Sequence, residues 1–359
     1  MHSFTYDALP GRVVFGSGAS RQRLADQIAR LGAARVLLIA TARARPLAEE
    51  LAAPLGERVA GVFTDVQPHV PAAVAEAARA AARSAGADCL LAIGGGSTIG
   101  AAKAIALELP LPIVAVPTTY AGSEMTPIWG VTSGQRKQTG RSLAVLPKVV
   151  VYDPELTYSL PAAITGPSAI NALAHSVEAL YTPGTNPVVG LIAEEGIRAL
   201  AHGTPMAVAR PADPAGRAET LYGAYLAGAA LAAAGTGLHH KICHVLGGAF
   251  NLPHAETHTV ILPHAVAFNE PAIPDVMARI SRALGSQRAA AGIYALIRSL
   301  GAPVALKDIG MRAEDLEEAV GLILEAAPKD NPRLVDAAGI RQLLENAYAG
   351  SPPNPGEAR

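Results

Sequence analysis

The chain has 359 residues, half of them apolar and 16% charged, with a formal net charge of −1. That length predicts two domains with sizeable cores, and the mixed charge excludes nucleic acid and anionic membrane as natural partners. No unbroken apolar stretch of about 18 residues occurs, so no membrane span is expected, and the opening MHSFTYDALPGRVVFG lacks the pattern of a secretory signal.

In chain order, short apolar runs predict strands at 12–15, 36–40, 61–64, 89–93, 113–116 and 149–152. Helical periodicity falls between them at 20–31, 46–55, 71–85 and 98–107. Such alternation predicts an α/β domain with a parallel, Rossmann-like sheet. The segment DPELTYSLP reads as a connection, and no strand is expected beyond it. Helices are predicted at 168–181, 187–201, 215–234, 238–250, 256–269, 275–284, 288–300, 313–326 and 336–348. The expected domains are a dinucleotide-binding α/β domain over 1–158 and an all-α domain over 159–359. The tail SPPNPGEAR is expected to be mobile. Cys89 and Cys243 each sit among apolar neighbours, which predicts buried free thiols and a reducing, cytoplasmic location.

The run CLLAIGGGSTIGAAKAIALE reads as a strand, a glycine turn and a helix. Gly94, Gly95 and Gly96 let the backbone turn sharply and approach a ligand closely. Ser97 and Thr98 are expected to cap the helix, whose N-terminal amides attract an anion such as a pyrophosphate. Lys103 follows one turn later. The glycine spacing is not the GxGxxG fingerprint. The next strand ends in a second polar turn, VPTTYAGSEMTP, with Thr118, Thr119 and Tyr120. Two adjacent turns of this kind suit a ligand at the carboxyl edge of a parallel sheet. After the second strand stand Thr41, Arg43 and Arg45 with no acid to repel a 2′-phosphate, so both NADH and NADPH are expected to be accepted.

Histidines concentrate between His175 and His264. Asn171 and His175 are four apart on one helical pattern, and His240 and His244 on another, so each pair shares a face. His239 precedes the second pair, His254 follows Pro253 at an expected helix start, and His258 lies four residues further on. Imidazoles converging on one place bind metal, donate hydrogen bonds to an anion or carry protons.

The motifs GGGS, PTTYAGSEMTP, NALAHSVEALY and HHKICHVLGGAFNLPHAETH resemble the iron-containing alcohol dehydrogenase superfamily, and within it the maleylacetate reductases. The resemblance runs from FTYDALPGRVVFGSG to the last helices. It implies the dehydroquinate synthase-like architecture of an α/β domain followed by a helical one, and a homodimer. It assigns GGGST and the Thr118–Thr119 turn to the coenzyme. Metal-dependent members use an aspartate and three histidines, at positions matching Asn171, His175, His240 and His254, and His244 matches a histidine near the nicotinamide. Two departures stand out. The aspartate position is Asn171, and an aspartate of the glycine-rich helix is Gly100. Because an amide replaces the anionic ligand, the site is expected to hold no metal, or at most one held weakly by His175, His240 and His254.

The reaction the resemblance implies is reduction of the carbon–carbon double bond of 2-maleylacetate, a small dicarboxylate, to 3-oxoadipate. Such a site stabilises an enolate oxygen and delivers a proton. Candidates for the catalytic work are His175, His239, His240, His244, His254, Asn171 and Tyr120, with His244, His239 or Tyr120 as general acid. Protonated imidazoles are expected to bind the substrate's oxygens. Lys137, Arg141 and Lys241 are candidates for phosphate or carboxylate contacts. The alternatives are a metal-dependent alcohol dehydrogenase and a lyase of dehydroquinate synthase type that uses NAD transiently.

Overall fold

The structure, a computed structural model, describes residues 3–9, 11–133 and 136–354, the side chains of Arg136 and Lys137 excepted. The end of the expected mobile tail, 355–359, lies outside the described residues. The chain divides into two units, Ala8–Ser159 and Met1–Asp7 with Leu160–Arg359.

The first unit carries a six-stranded sheet of β1 (Arg12–Phe15), β2 (Val36–Ile39), β3 (Val59–Phe63), β4 (Cys89–Gly94), β5 (Ile113–Pro117) and β8 (Val149–Tyr152). The order is β1-β8-β5-β4-β2-β3, and every pairing is parallel. β2, β4, β5 and β8 are buried throughout, which explains their unbroken Val, Ile, Leu and Ala runs. The helices α1 (Ala19–Arg30), α2 (Arg45–Ala52), α3 (Ala72–Ser84) and α4 (Gly96–Ala106) connect the strands. From β2 the chain moves outward to β3, then returns to the other side of β2 at β4. That reversal places the topological switch point at the carboxyl ends of β2 and β4, where ligands of open α/β sheets bind.

An antiparallel hairpin of β6 (Ile128–Ser133) and β7 (Arg136–Arg141) was not expected from the sequence. Its strands are as long as any in the main sheet, but β6 is only partly buried along its length, so no clean alternation marks it. The connection after β8 has a structural task. Asp153 is fully buried and accepts from Gly18 N–H and Ser20 N–H at 3.0 Å each, and from Ser20 Oγ–H at 2.5 Å. It thereby caps α1, whose N-cap residue is Gly18 and makes no side-chain cap of its own.

In the second unit the described residues form α5 (Ala162–Ala179), α6 (Pro187–Ala209), α7 (Pro214–Ala234), α8 (Leu238–Phe250), α9 (His254–Asn269), α10 (Pro274–Leu284), α11 (Ala289–Ser299), α12 (Leu316–Ala326) and α13 (Ala337–Ala349). No strand occurs among the described residues beyond Tyr152. α6 and α7 approach closely through glycine. A Cβ on Gly203 would stand 2.7 Å from Thr220 N, and one on Gly223 2.9 Å from Leu200 N. A second core gathers Leu238, Ile242, Leu246, Val260, Ile261, Ile323 and Leu344 from α8, α9, α12 and α13. Among the described residues no single helix is long and apolar enough to cross a membrane; the pair α7 and α8 together reach that composition but bend by 98°.

Candidate active site

The two glycine-containing turns lie against each other. Thr118 N–H donates to Gly94 O at 3.1 Å. Gly94 has φ 155°, and a Cβ on it would come within 2.4 Å of Thr98 Oγ1. A Cβ on Gly95 would meet Thr119 Cγ2 at 3.1 Å. Here glycine is required by packing of the turn.

The capping expectation for Ser97 and Thr98 is corrected. α4 starts at Gly96 with Gly95 as N-cap and no side-chain cap, so both residues lie inside the first turn. The physical reason is that three consecutive glycines let the helix begin earlier. The first amides of α4 therefore have no side-chain cap. Thr98 Oγ1 is buried and has no hydrogen-bond partner. Thr41 Oγ1 accepts from Ala44 N–H at 3.2 Å, closing the turn at the end of β2.

Lys103 turns inward. Its Nζ donates to Ser123 O, Thr126 O and Ile128 O at 2.7 Å each and to Thr126 Oγ1 at 3.0 Å, tying α4 to the second turn. Tyr120 is fully enclosed in this unit. Lys137 lies on β7, and its side chain is outside the described residues. Burial, with Asp88 beside it, pushes the Cys89 thiol up to about 12, which fits an inert buried side chain.

In the helical unit the histidines converge. His175 on α5 stacks on His240 of α8 with ring centroids 5.0 Å apart. His240 lies 5.2 Å from His239, 6.0 Å from His244 and 4.7 Å from His258. His258 reaches His254 one turn earlier on α9, at 4.4 Å, and His239 at 4.9 Å. His239 Nε2 and His258 Nδ1 share a hydrogen bond of 2.9 Å. His244 and His254 are exposed, whereas His175, His239, His240 and His258 are buried. Cys243 Sγ is 3.8 Å from His239 Nε2, and burial holds its thiol well above the usual range.

Burial, reinforced by neighbouring imidazoles, holds His175, His239 and His258 well below the usual histidine range. These three are therefore neutral near pH 7. The expectation that one or more of His175, His240 and His254 bind the substrate when protonated finds no support at His175.

One residue was set at the edge of the cluster by the sequence reading, and another escaped it. His258 sits at the centre of the cluster; its four-residue spacing from His254 was the available signal. Glu178 is fully buried on α5, and its Oε2 lies 2.5 Å from His240 Nδ1. Its spacing of three from His175 was the signal there.

Comparisons with known proteins agree over both units. The model for iron-containing alcohol dehydrogenase matches residues 10–154, and the C-terminal model of the Fe-containing alcohol dehydrogenase family matches 165–348. A maleylacetate reductase of Sphingobium indicum is 51% identical over 350 residues, covering 98% of this chain and 99% of the relative. The crystal structure of maleylacetate reductase from Agrobacterium tumefaciens superposes with a TM-score of 0.95 at 45% identity, covering 98% of this chain and 100% of that one. An iron-containing alcohol dehydrogenase from Corynebacterium glutamicum gives a TM-score of 0.95 at 47% identity, covering 99% of each.

The family's iron overturns the expectation of a site without metal. The donor set explains why the argument from Asn171 fell short. Asn171 Oδ1, His175 Nδ1, His240 Nε2 and His258 Nε2 are all buried with no hydrogen-bond partner. The ligand atoms of His239, His240 and His258 lie within 4.8 Å of one another. Buried polar atoms without partners are costly unless something coordinates them, and imidazole with an amide oxygen suits a borderline divalent ion. Losing one carboxylate left the other donors in place. Matched over nearly its whole length in sequence and fold, this chain belongs to the iron-containing alcohol dehydrogenase family.

Proposed function

We propose that this chain is an oxidoreductase that reduces the carbon–carbon double bond of 2-maleylacetate with hydride from NADH or NADPH, giving 3-oxoadipate. The single observation that carries the reading is the set of imidazoles gathered in a chain about half identical, end to end, to maleylacetate reductases. The α/β unit is the dinucleotide-binding domain and the helical unit carries the reaction centre. The pyrophosphate rests on the uncapped first turn of α4, at Gly94, Gly95, Gly96, Ser97 and Thr98, with Thr118 and Thr119 beside it. Thr41 lines the ribose end.

Hydride adds to the alkene carbon β to the ketone, and the electron pair moves to the ketone oxygen as an enolate. Hydrogen-bond donors aimed at that oxygen lower the barrier. A proton then goes to the carbon next to the ketone. His244 and His254 are the exposed rings of the cluster and the ones able to touch substrate. His239 is enclosed and bonded to His258, so it supports the cluster from behind. This makes His244 the favoured general acid, ahead of His239 and the enclosed Tyr120. Asn171, His175, His240 and His254 are the residues that would hold the family's metal. When bound, a divalent metal supplies Lewis acidity toward a substrate oxygen. Water-rich, reducing cytoplasm and a homodimer complete the reading.

The test is turnover. Purified protein should oxidise NADH and NADPH in the presence of maleylacetate, with 3-oxoadipate formed mole for mole. The two coenzymes should differ by less than about a thousandfold in kcat/KM, roughly 4 kcal/mol of differential binding. Oxidation of simple alcohols without turnover of maleylacetate would defeat the proposal.

A further inference from the structure

Glu178 takes no part in the steps above, yet it is a carboxylate with no exposure to solvent. Asn171, His175 and Glu178 stand at i, i+4 and i+7 on α5, so one stripe of that helix presents an amide, an imidazole and a carboxylate in turn. The carboxylate meets the first turn of α8. It accepts from Gly237 N–H at 2.8 Å and His240 N–H at 3.4 Å, groups that have no acceptor within the helix. Its closest contact is His240 Nδ1 at 2.5 Å. Gly237 makes room for it: a Cβ there would stand 3.0 Å from Glu178 Oε1. A carboxylate accepts, so His240 Nδ1 carries the hydrogen and Nε2 carries the lone pair. Nε2 is itself buried and unpartnered.

Burying a carboxylate costs several kcal/mol unless hydrogen bonds and positive poles offset it. The α8 terminus provides both, but a neutral residue would seal that helix end at lower cost. The carboxylate is matched to the ring it holds. We propose that Glu178 is a positioning residue: it fixes His240 in the Nδ1–H tautomer, aims Nε2 into the cluster, and supplies through that ring the negative charge that Asn171 does not. The pattern is that of a metal-ligating histidine backed by a carboxylate. The inference rests on the reading that the imidazole cluster is the reaction centre.

Two measurements test it. Long-range nitrogen–proton correlation on protein labelled with 15N-histidine reads the His240 tautomer directly. In the unaltered protein the Nδ1–H form is expected; the Nε2–H form overturns the proposal without any variant. Calorimetric titration with zinc alone reads the second consequence. Glu178→Gln keeps the volume and an acceptor for Gly237 but loses the charge, and it should weaken zinc 10–100-fold. Asn171→Asp added to that variant should recover at least tenfold by returning an anion to the cluster. Unchanged zinc affinity in a folded Glu178→Gln protein defeats the proposal. These readouts do not use turnover. Failure to reduce maleylacetate would remove the proposed substrate and leave the role of Glu178 standing.

Discussion

Gly94 shows how tightly single positions constrain this site. Its backbone carries φ 155° and its α-hydrogen faces Thr98. Gly94→Ala forces a methyl to within 2.4 Å of Thr98 Oγ1, so either the turn or the helix start must move. The expected cost is about 1–3 kcal/mol of stability together with a loss of coenzyme affinity of tenfold or more. Denaturant titration and fluorescence quenching by NADH measure the two effects; an unchanged dissociation constant would remove Gly94 from the coenzyme turn. At the same scale, several site residues were legible as residue types in a pattern. The pairs Asn171–His175 and His240–His244 follow from helix geometry alone. His258 was less legible because one helical spacing does not tell an active ring from a packed one. Only the approach of α8 to α9 puts it against His239 and His240.

Elements were legible where periodicity was strong and obscured where tertiary contacts overrode local signals. The six strands of the main sheet announce themselves as apolar runs. The β6–β7 hairpin does not, since neither face is fully buried. α5 begins at Ala162, six residues before the expected start, and contains Pro167. A proline in the second turn loses one backbone hydrogen bond, and the burial of almost every residue from Thr165 onward outweighs that loss. Asp153 belongs to this scale, because it joins the end of β8 to the start of α1. Asp153→Ala removes the acceptor for two buried amides and a buried hydroxyl. It should cost about 2–4 kcal/mol in urea denaturation, with kcat at permissive temperature left near its starting value. A loss under 0.5 kcal/mol would mean that water replaces the carboxylate.

For the whole molecule, stability should depend on pH through its buried imidazoles. Burial lowers His264 to about 4. The unfolded chain takes up a proton there below about pH 6.5, whereas the folded chain resists it until near 4. Its contribution is therefore fully present above 6.5 and lost as pH falls toward 4, an effect of about 3 kcal/mol from this one group. His175, His239 and His258 are lowered in the same direction and steepen the loss. Denaturation midpoints between pH 4.5 and 7.5 should fall with acid, and His264→Gln should flatten the slope. An equal slope in the variant would place the titration elsewhere.

The sequence by itself determined the parallel α/β half, the helical half, the glycine turn and the concentration of histidines, because periodicity, turn chemistry and residue spacing are local properties. It also pointed to the family and to a reaction. It misjudged the metal, because the loss of a charged ligand at Asn171 was weighed alone. Tertiary structure decided which polar atoms are buried without partners, and it set Glu178 behind His240 at the capped end of α8. Those facts depend on helices distant in sequence, and no local pattern encodes how two helices pack.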